Sequence, residues 1–272
     1  MEPVFKNHPN GAREKQAFKR KVLFIIGLCI VASGVLLSLP PVAQDISYHN
    51  FADQRAILSM PNALNVISNA ILAIVGILGL LFILQKEAVR PGGPFTENWE
   101  RWTFLVLFLG IGLTASGSAF YHLEPNNFRL FWDRLSMTIV FMAFFAITIA
   151  ERIRMGVGRQ LLLPLLFIGI GSVIYWLLTD DLRPYVFVQF FPMIAIPFML
   201  LLFPARYTRA ADLFGAVGWY ALAKIFEIFD TQIFAIGYLL SGHTLKHLAS
   251  GLAAYWILRM LKRRRPVESF CS

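Results

Sequence analysis

Eight apolar runs, each close to the ~20 residues that a bilayer core requires, divide this chain. They cover Val22 to Leu39, Asn62 to Leu84, Trp102 to Tyr121, Phe131 to Ala150, Gln160 to Leu178, Tyr185 to Phe203, about Asp212 to Tyr238, and His243 to Leu261. Turn-forming residues punctuate them: Pro40-Pro41 ends the first run, and Pro125-Asn126-Asn127 separates the third from the fourth. Proline and asparagine at these places stop a helix. The pattern predicts an all-α polytopic membrane protein. The first run reads as a retained anchor, because no small-x-small cleavage site follows it clearly.

Charge assigns the sides. With the amino terminus inside, the inner segments carry Lys6, Arg13, Lys15, Lys19, Arg20 and Lys21, then Lys86, Arg90 and Arg101. Further along they carry Arg152, Arg154 and Arg159, then Arg206 and Arg209, and finally Lys262 to Arg265. The outer loops hold little beyond Arg55, Arg129 and Arg183. This asymmetry obeys the positive-inside rule and predicts eight spans with both termini cytoplasmic.

Composition adds two exclusions. At 57% hydrophobic residues, with 25 Phe among 272, the chain is too apolar for a soluble domain of its length. The net charge of +9 would suit nucleic acid, but the basic residues flank apolar runs and so act as topology signals. Only Cys29 and Cys271 are available, so neither a disulfide framework nor a cysteine metal site is built.

Candidate chemistry is concentrated in Ser116 to Asp133 and Ser241 to His247. The four-residue step of His243 and His247 sets two imidazoles on one helix face, one turn apart, as two metal ligands on a helix require. Ser118 and His122 repeat that step, and Asp133 opens the following run. By the loop charges, all five residues lie toward the outer side. A lone histidine at a helix end is commonly a hydrogen-bonded structural residue. Ionisable groups in membrane spans are costly, however, and functional by default. Three imidazoles, a carboxylate and a hydroxyl at one depth suit zinc with a position open to water.

Other polar residues in the spans have less decided roles. Asn62, Asn65, Ser68 and Asn69 form a stripe of the kind that hydrogen-bonds neighbouring helices. Lys224, Glu227 and Asp230 recur every three residues, consistent with a Lys224–Glu227 pair in a neutralised network that holds helices together, or with a proton path or a support for the site. Lys246 is expected to point away from the histidines and snorkel to the outer headgroups.

Ser118-x-x-x-His122, Asp133 and His243-x-x-x-His247, with the Asn65 to Asn69 stretch, resemble the alkaline ceramidase family, within the superfamily that includes adiponectin-type receptors. The resemblance covers roughly residues 48–261. It implies a seven-helix core over 62–261, preceded by an extra helix over 22–39. Together with its flanks this forms a membrane domain over 21–265, between a basic tail at 1–20 and a short tail at 266–272. It also implies zinc on His122, His243 and His247, with Ser118 and Asp133 as catalytic residues. Animal ceramidases of this family are similar to one another in an acidic, calcium-binding segment. The matching stretch here, Tyr48 to Asn62, has Asp53 as its one carboxylate. Calcium prefers several hard oxygen ligands. Asp53 and Asn62 are the candidate ligands, and the segment argues against a tight calcium site.

The expected chemistry is amide hydrolysis. Zinc on three neutral imidazoles activates water near neutral pH. Asp133 takes the proton and passes it to the leaving amine, and Ser118 donates to the developing oxyanion. A site in the outer leaflet, walled by apolar side chains, selects an amide at headgroup depth in the bilayer: ceramide or another N-acyl lipid, cleaved to fatty acid and amine. The alternative is a non-catalytic, receptor-like seven-helix protein in which a fourth protein ligand closes a structural zinc site. A proton-coupled transporter using Lys224, Glu227 and Asp230 lacks the internal repeat common in that class.

Overall fold

The computed structural model describes residues 11–85 and 92–267. The expected topology residues Lys6, Lys86 and Arg90, and Cys271, lie outside this range. Among the described residues, the regular structure is helical and no strand is present.

The helices in chain order are α1 (Gly11–Ser38), α2 (Ala63–Ile67), α3 (Ala70–Leu84), α4 (Asn98–Leu123) and α5 (Asn127–Arg152). They continue with α6 (Met155–Thr179), α7 (Arg183–Leu202), α8 (Ala211–Ile228), α9 (Asp230–Phe234) and α10 (Gly242–Arg263). Six spans are long and apolar enough to cross a membrane: α1, α2 joined to α3, α4, α5, α6 and α7. α8 and α10 are less apolar because they carry ionisable groups, Lys224 and Glu227 on α8 and His243, Lys246 and His247 on α10.

The run from Asp212 to Tyr238 is not one continuous helix. α8 stops at Ile228, Phe229 leaves helical geometry, and Asp230 starts the short α9. This break redirects Asp230, as described below.

α4 packs between α3 and α5, α5 also contacts α6 and α7, and α10 packs on α3 and most extensively on α8. α1 lies at the periphery against α7, where Phe18 meets Phe203 and Phe24 meets Phe198, each with ring centroids 5.4 Å apart. Ile83 of α3, Phe104, Leu107 and Phe108 of α4 and Met199 of α7 belong to one buried core and are fully enclosed.

One close approach sets the position of the candidate site. A Cβ on Gly117 would stand 2.7 Å from the Trp132 carbonyl oxygen, so only glycine lets α4 and α5 come this close. The residues that follow these two contact points are Ser118 and Asp133. Asn126 then caps α5 by accepting from the Arg129 N–H at 2.9 Å, fixing the turn between the two helices.

The histidine-bearing ends of α4 and α10 are on the same end of the bundle as the start of α5. Arg101, Arg152, Arg159, Lys262 and Arg263 lie at the opposite end of their helices. At that opposite end Arg264, fully buried, pairs with Glu151 and donates to the Pro94 carbonyl at 2.7 Å.

Candidate metal centre

Two helices, α4 and α10, bring three imidazoles together. His122 is in the last turn of α4, and His243 and His247 occupy the first two turns of α10. One ring nitrogen from each lies within 4.8 Å of the other two, and all three residues are buried. Nε2 of His122 and Nε2 of His243 face each other at 3.2 Å.

The local sequence explains the start of α10. The Ser241 hydroxyl accepts from the Thr244 N–H at 3.1 Å, an N-cap on the orphan donors of the first turn. The His243 N–H donates to Asp230 Oδ1 at 2.7 Å. The other carboxylate oxygen of Asp230 accepts from the Ala52 N–H at 2.9 Å. Asp230 is therefore a clasp between α10 and the segment that carries Phe51. Gly242 makes the clasp possible, since a Cβ there would collide with the Phe226 carbonyl and stand 2.7 Å from the Asp230 Cα.

The polar stripe on α2 and α3 serves as the support layer. The Asn62 amide donates to the His122 carbonyl at 2.9 Å, and Thr244 donates to Asn65 Oδ1 at 2.9 Å. Ser68 Oγ lies 2.8 Å from Nδ1 of His247. A partner on one ring nitrogen of a metal-binding histidine fixes the ring and directs its other nitrogen. Here that other nitrogen, Nε2, is the one near Ser118, at 3.5 Å.

Ser118 and Asp133 border the same point. The Ser118 hydroxyl is also beside the Asp133 carboxylate, and both residues are buried. Phe51 covers the cluster from the loop side, its ring centroid 4.6 Å from those of both His122 and His243. Phe51 carries no sequence signal, being one phenylalanine among many; only the Asp230 clasp places it.

The donor set fits a metal ion. Buried imidazoles that turn nitrogens toward one another without a shared cation or proton incur a polar burial cost, and His122 Nδ1 has no hydrogen-bond partner to offset it. Three imidazole nitrogens so placed are a donor set that a metal ion can use. Among the described residues, the cluster contains three histidines and no carboxylate.

Lys246 does not snorkel outward. Its ammonium is 2.5 Å from Glu227 Oε1, with only 12% of the side chain exposed. Lys224 pairs with the other oxygen of Glu227, and the Tyr48 hydroxyl donates to Oε1 at 3.0 Å. One buried carboxylate thus holds two ammonium groups, and its loss would leave both charges enclosed without a counter-ion.

Asp53 and Asn62 do not converge on a shared oxygen site. Asp53 is taken by Arg55, whose Nε and Nη2 each donate at 2.8 Å, and these bonds hold its carboxyl below the usual range. Asn62 is engaged with the His122 carbonyl.

From this centre a cleft runs into the bundle. Ser118, Asp133, Lys246 and His247 line its polar end, and Leu72, Ile111, Phe144, Ile196 and Ile257 line its apolar part. From Asp133 to Phe144 along α5, it spans roughly 16 Å at the α-helical rise. The arrangement is that of a membrane protein with a buried three-histidine group able to hold a metal ion, set at the polar end of an apolar cleft. Neither the known protein-family models nor the curated proteins include a match to this chain.

Proposed function

We propose that this protein is a zinc-dependent hydrolase of lipid amides that works within the membrane, with ceramide-type N-acyl lipids as its substrate class. The observation that carries this reading is the junction itself. His247 of the three-histidine group, Ser118 and Asp133 line the polar end of an apolar cleft long enough to take an acyl chain.

Zinc held by the three imidazoles would polarise the amide carbonyl and lower the pKa of water at the site. The residues do the rest. Asp133 accepts the proton from the attacking water as its oxygen bonds to the carbonyl carbon. As the C–N bond breaks, Asp133 returns that proton to the departing nitrogen, which leaves as a free amine beside a fatty acid. Ser118 donates a hydrogen bond to the carbonyl oxygen while negative charge builds there. Ser68 and Asn62 hold the ligand helices in register, and Phe51 limits access of bulk water. The apolar cleft takes the acyl chain and keeps the scissile bond at the histidine level.

The same reading has eight spans, with α8 and α10 crossing as a pair whose charged groups face one another. Both termini are cytoplasmic and the metal centre lies on the outer side. The basic residues at the opposite end of the bundle support this orientation.

The test is fatty-acid release from a panel of N-acyl lipids by detergent-purified protein, with Asp133→Asn alongside. Release by the wild-type protein that drops at least ~100-fold in the variant supports the reading, since general acid–base groups contribute on that scale. Equal release by the two proteins removes Asp133 from its role, and no release from any lipid removes the hydrolase.

A further inference from the structure

A second pocket opens on the far side of Asp133, and its character is opposite to that of the acyl cleft. Tyr48, Arg134, Tyr185, Gln189, Lys224 and Glu227 line it, and Asp133, Met137 and Lys246 line both it and the cleft. The two cavities therefore meet at the reacting centre.

The charges of this pocket do not balance. Arg134, Lys224 and Lys246 face Asp133 and Glu227, three positive groups against two negative ones. Glu227 is already shared by the two lysines. Arg134 has no carboxylate partner among the described residues. The residue is 6% exposed, and its guanidinium lies over three rings, with centroids at 4.3 Å for Trp176, 4.8 Å for Tyr185 and 5.6 Å for Tyr48. Nη2 donates to Gln44 Oε1 at 2.6 Å, while the buried Nη1 has no hydrogen-bond partner. A caged arginine with a free donor is a preorganised receptor for a planar carboxylate or a phosphate.

We infer that this pocket binds an anionic group, carboxylate or phosphate, on the amine-side part of the lipid, so that, within the N-acyl-lipid class, members bearing such a group are preferred over neutral ceramides. The inference rests on the amide-hydrolase reading for the word substrate, and on Arg134 for the site. An acyl chain in the apolar cleft and an anionic headgroup against Arg134 leave the amide at Asp133 and Lys246, where the cavities join. A neutral headgroup would leave the excess cation without its counter-charge.

The experiment compares binding of N-dodecanoylglycine with binding of its uncharged primary amide, on zinc-loaded and on metal-depleted full-length protein. The expected result is at least about tenfold tighter binding of the carboxylate in both metal states, the scale of one charge-assisted hydrogen bond. Arg134→Gln removes the preference and Arg134→Lys retains part of it. If Arg134→Gln fails to fold, Lys224→Gln serves instead, lowering the positive excess by one charge and weakening the preference. Equal binding of the two probes overturns the inference, as does a preference that vanishes with zinc and ignores Arg134, which would place the carboxylate on the metal. Inorganic phosphate that competes as well as the acylated probe would reassign the pocket to a soluble anion. An intact Arg134-dependent preference without hydrolysis of any N-acyl lipid would remove the hydrolase and leave this site. Hydrolysis of neutral and acidic lipids at equal rates, without the preference, would do the reverse.

Discussion

The hydroxyl of Ser68 lies 2.8 Å from Nδ1 of His247, so a residue of the polar stripe on the second apolar run sets the orientation of a ligand on the last helix. Partners of this type tune metal affinity through the ring they hold. Ser68→Ala should weaken zinc binding by ~10 to 100-fold while leaving the helices intact. Competition with a calibrated chelator measures this directly; an unchanged affinity would mean that Ser68 is only a helix contact.

Glu227 is the shared counter-ion of Lys224 and Lys246. Glu227→Gln leaves two enclosed ammonium groups without a carboxylate. Loss of one member of a buried pair typically costs ~3–5 kcal/mol. Thermal unfolding in detergent should show a large drop for Glu227→Gln, partly relieved in the double variant Glu227→Gln/Lys224→Met. Additive effects of the two changes would contradict the shared-pair geometry.

Gly117 is the contact that brings Ser118 beside Asp133. In Gly117→Ala the new methyl meets the Trp132 carbonyl, and the helices must separate. Overpacking of this kind costs ~1–3 kcal/mol. Amide hydrolysis should fall further than stability does, because Ser118 and Asp133 move apart while the histidines on α10 stay in place. Activity that tracks stability alone would show that their spacing is not limiting.

Asp181 fastens the end of α1 to the turn between α6 and α7. Its carboxylate accepts from Arg183 and from the Val42 N–H, and Arg183 also donates to the Leu39 carbonyl at 2.5 Å. The side-chain hydrogen bond from Arg183 lowers its pKa from 3.8 to about 2. A depressed folded-state value gives stability that is complete above the unfolded pKa and is lost as pH falls through the folded one. The wild-type protein should therefore lose stability between about pH 4 and pH 2, and Asp181→Asn should flatten that limb. The same acid limb in the variant would assign it to other carboxylates.

Much of the candidate site is legible in the sequence, because it rests on short-range spacing. His243 and His247, and Ser118 and His122, are one helical turn apart, and that interval fixes a shared face whatever the surroundings. Convergence of the two pairs with Asp133 depends on Gly117 and on the Asn126 cap, which the sequence offers but does not join. Lys246 illustrates a misread angle. Three residues beyond His243, it is only ~60° away around the helix, and a buried carboxylate was enough to draw it inward. Asp230 is legible as a possible support for the site, but its partners are not, because periodicity of three along an apolar run suggests one helix, whereas the chain breaks at Phe229 and turns the carboxylate toward Ala52 and His243. Phe51 and the Arg134 cage were invisible for a different reason: both are built from loop and helix residues more than forty positions apart.

The most direct test is titration of zinc into metal-depleted protein, with fatty-acid release from an N-acyl lipid measured on the same sample. The account predicts release that rises with bound zinc and levels off at one ion per chain, and that is lost in His243→Ala. A protein that binds one zinc per chain and releases no fatty acid would contradict it, and would make the three histidines a structural clamp between α4 and α10.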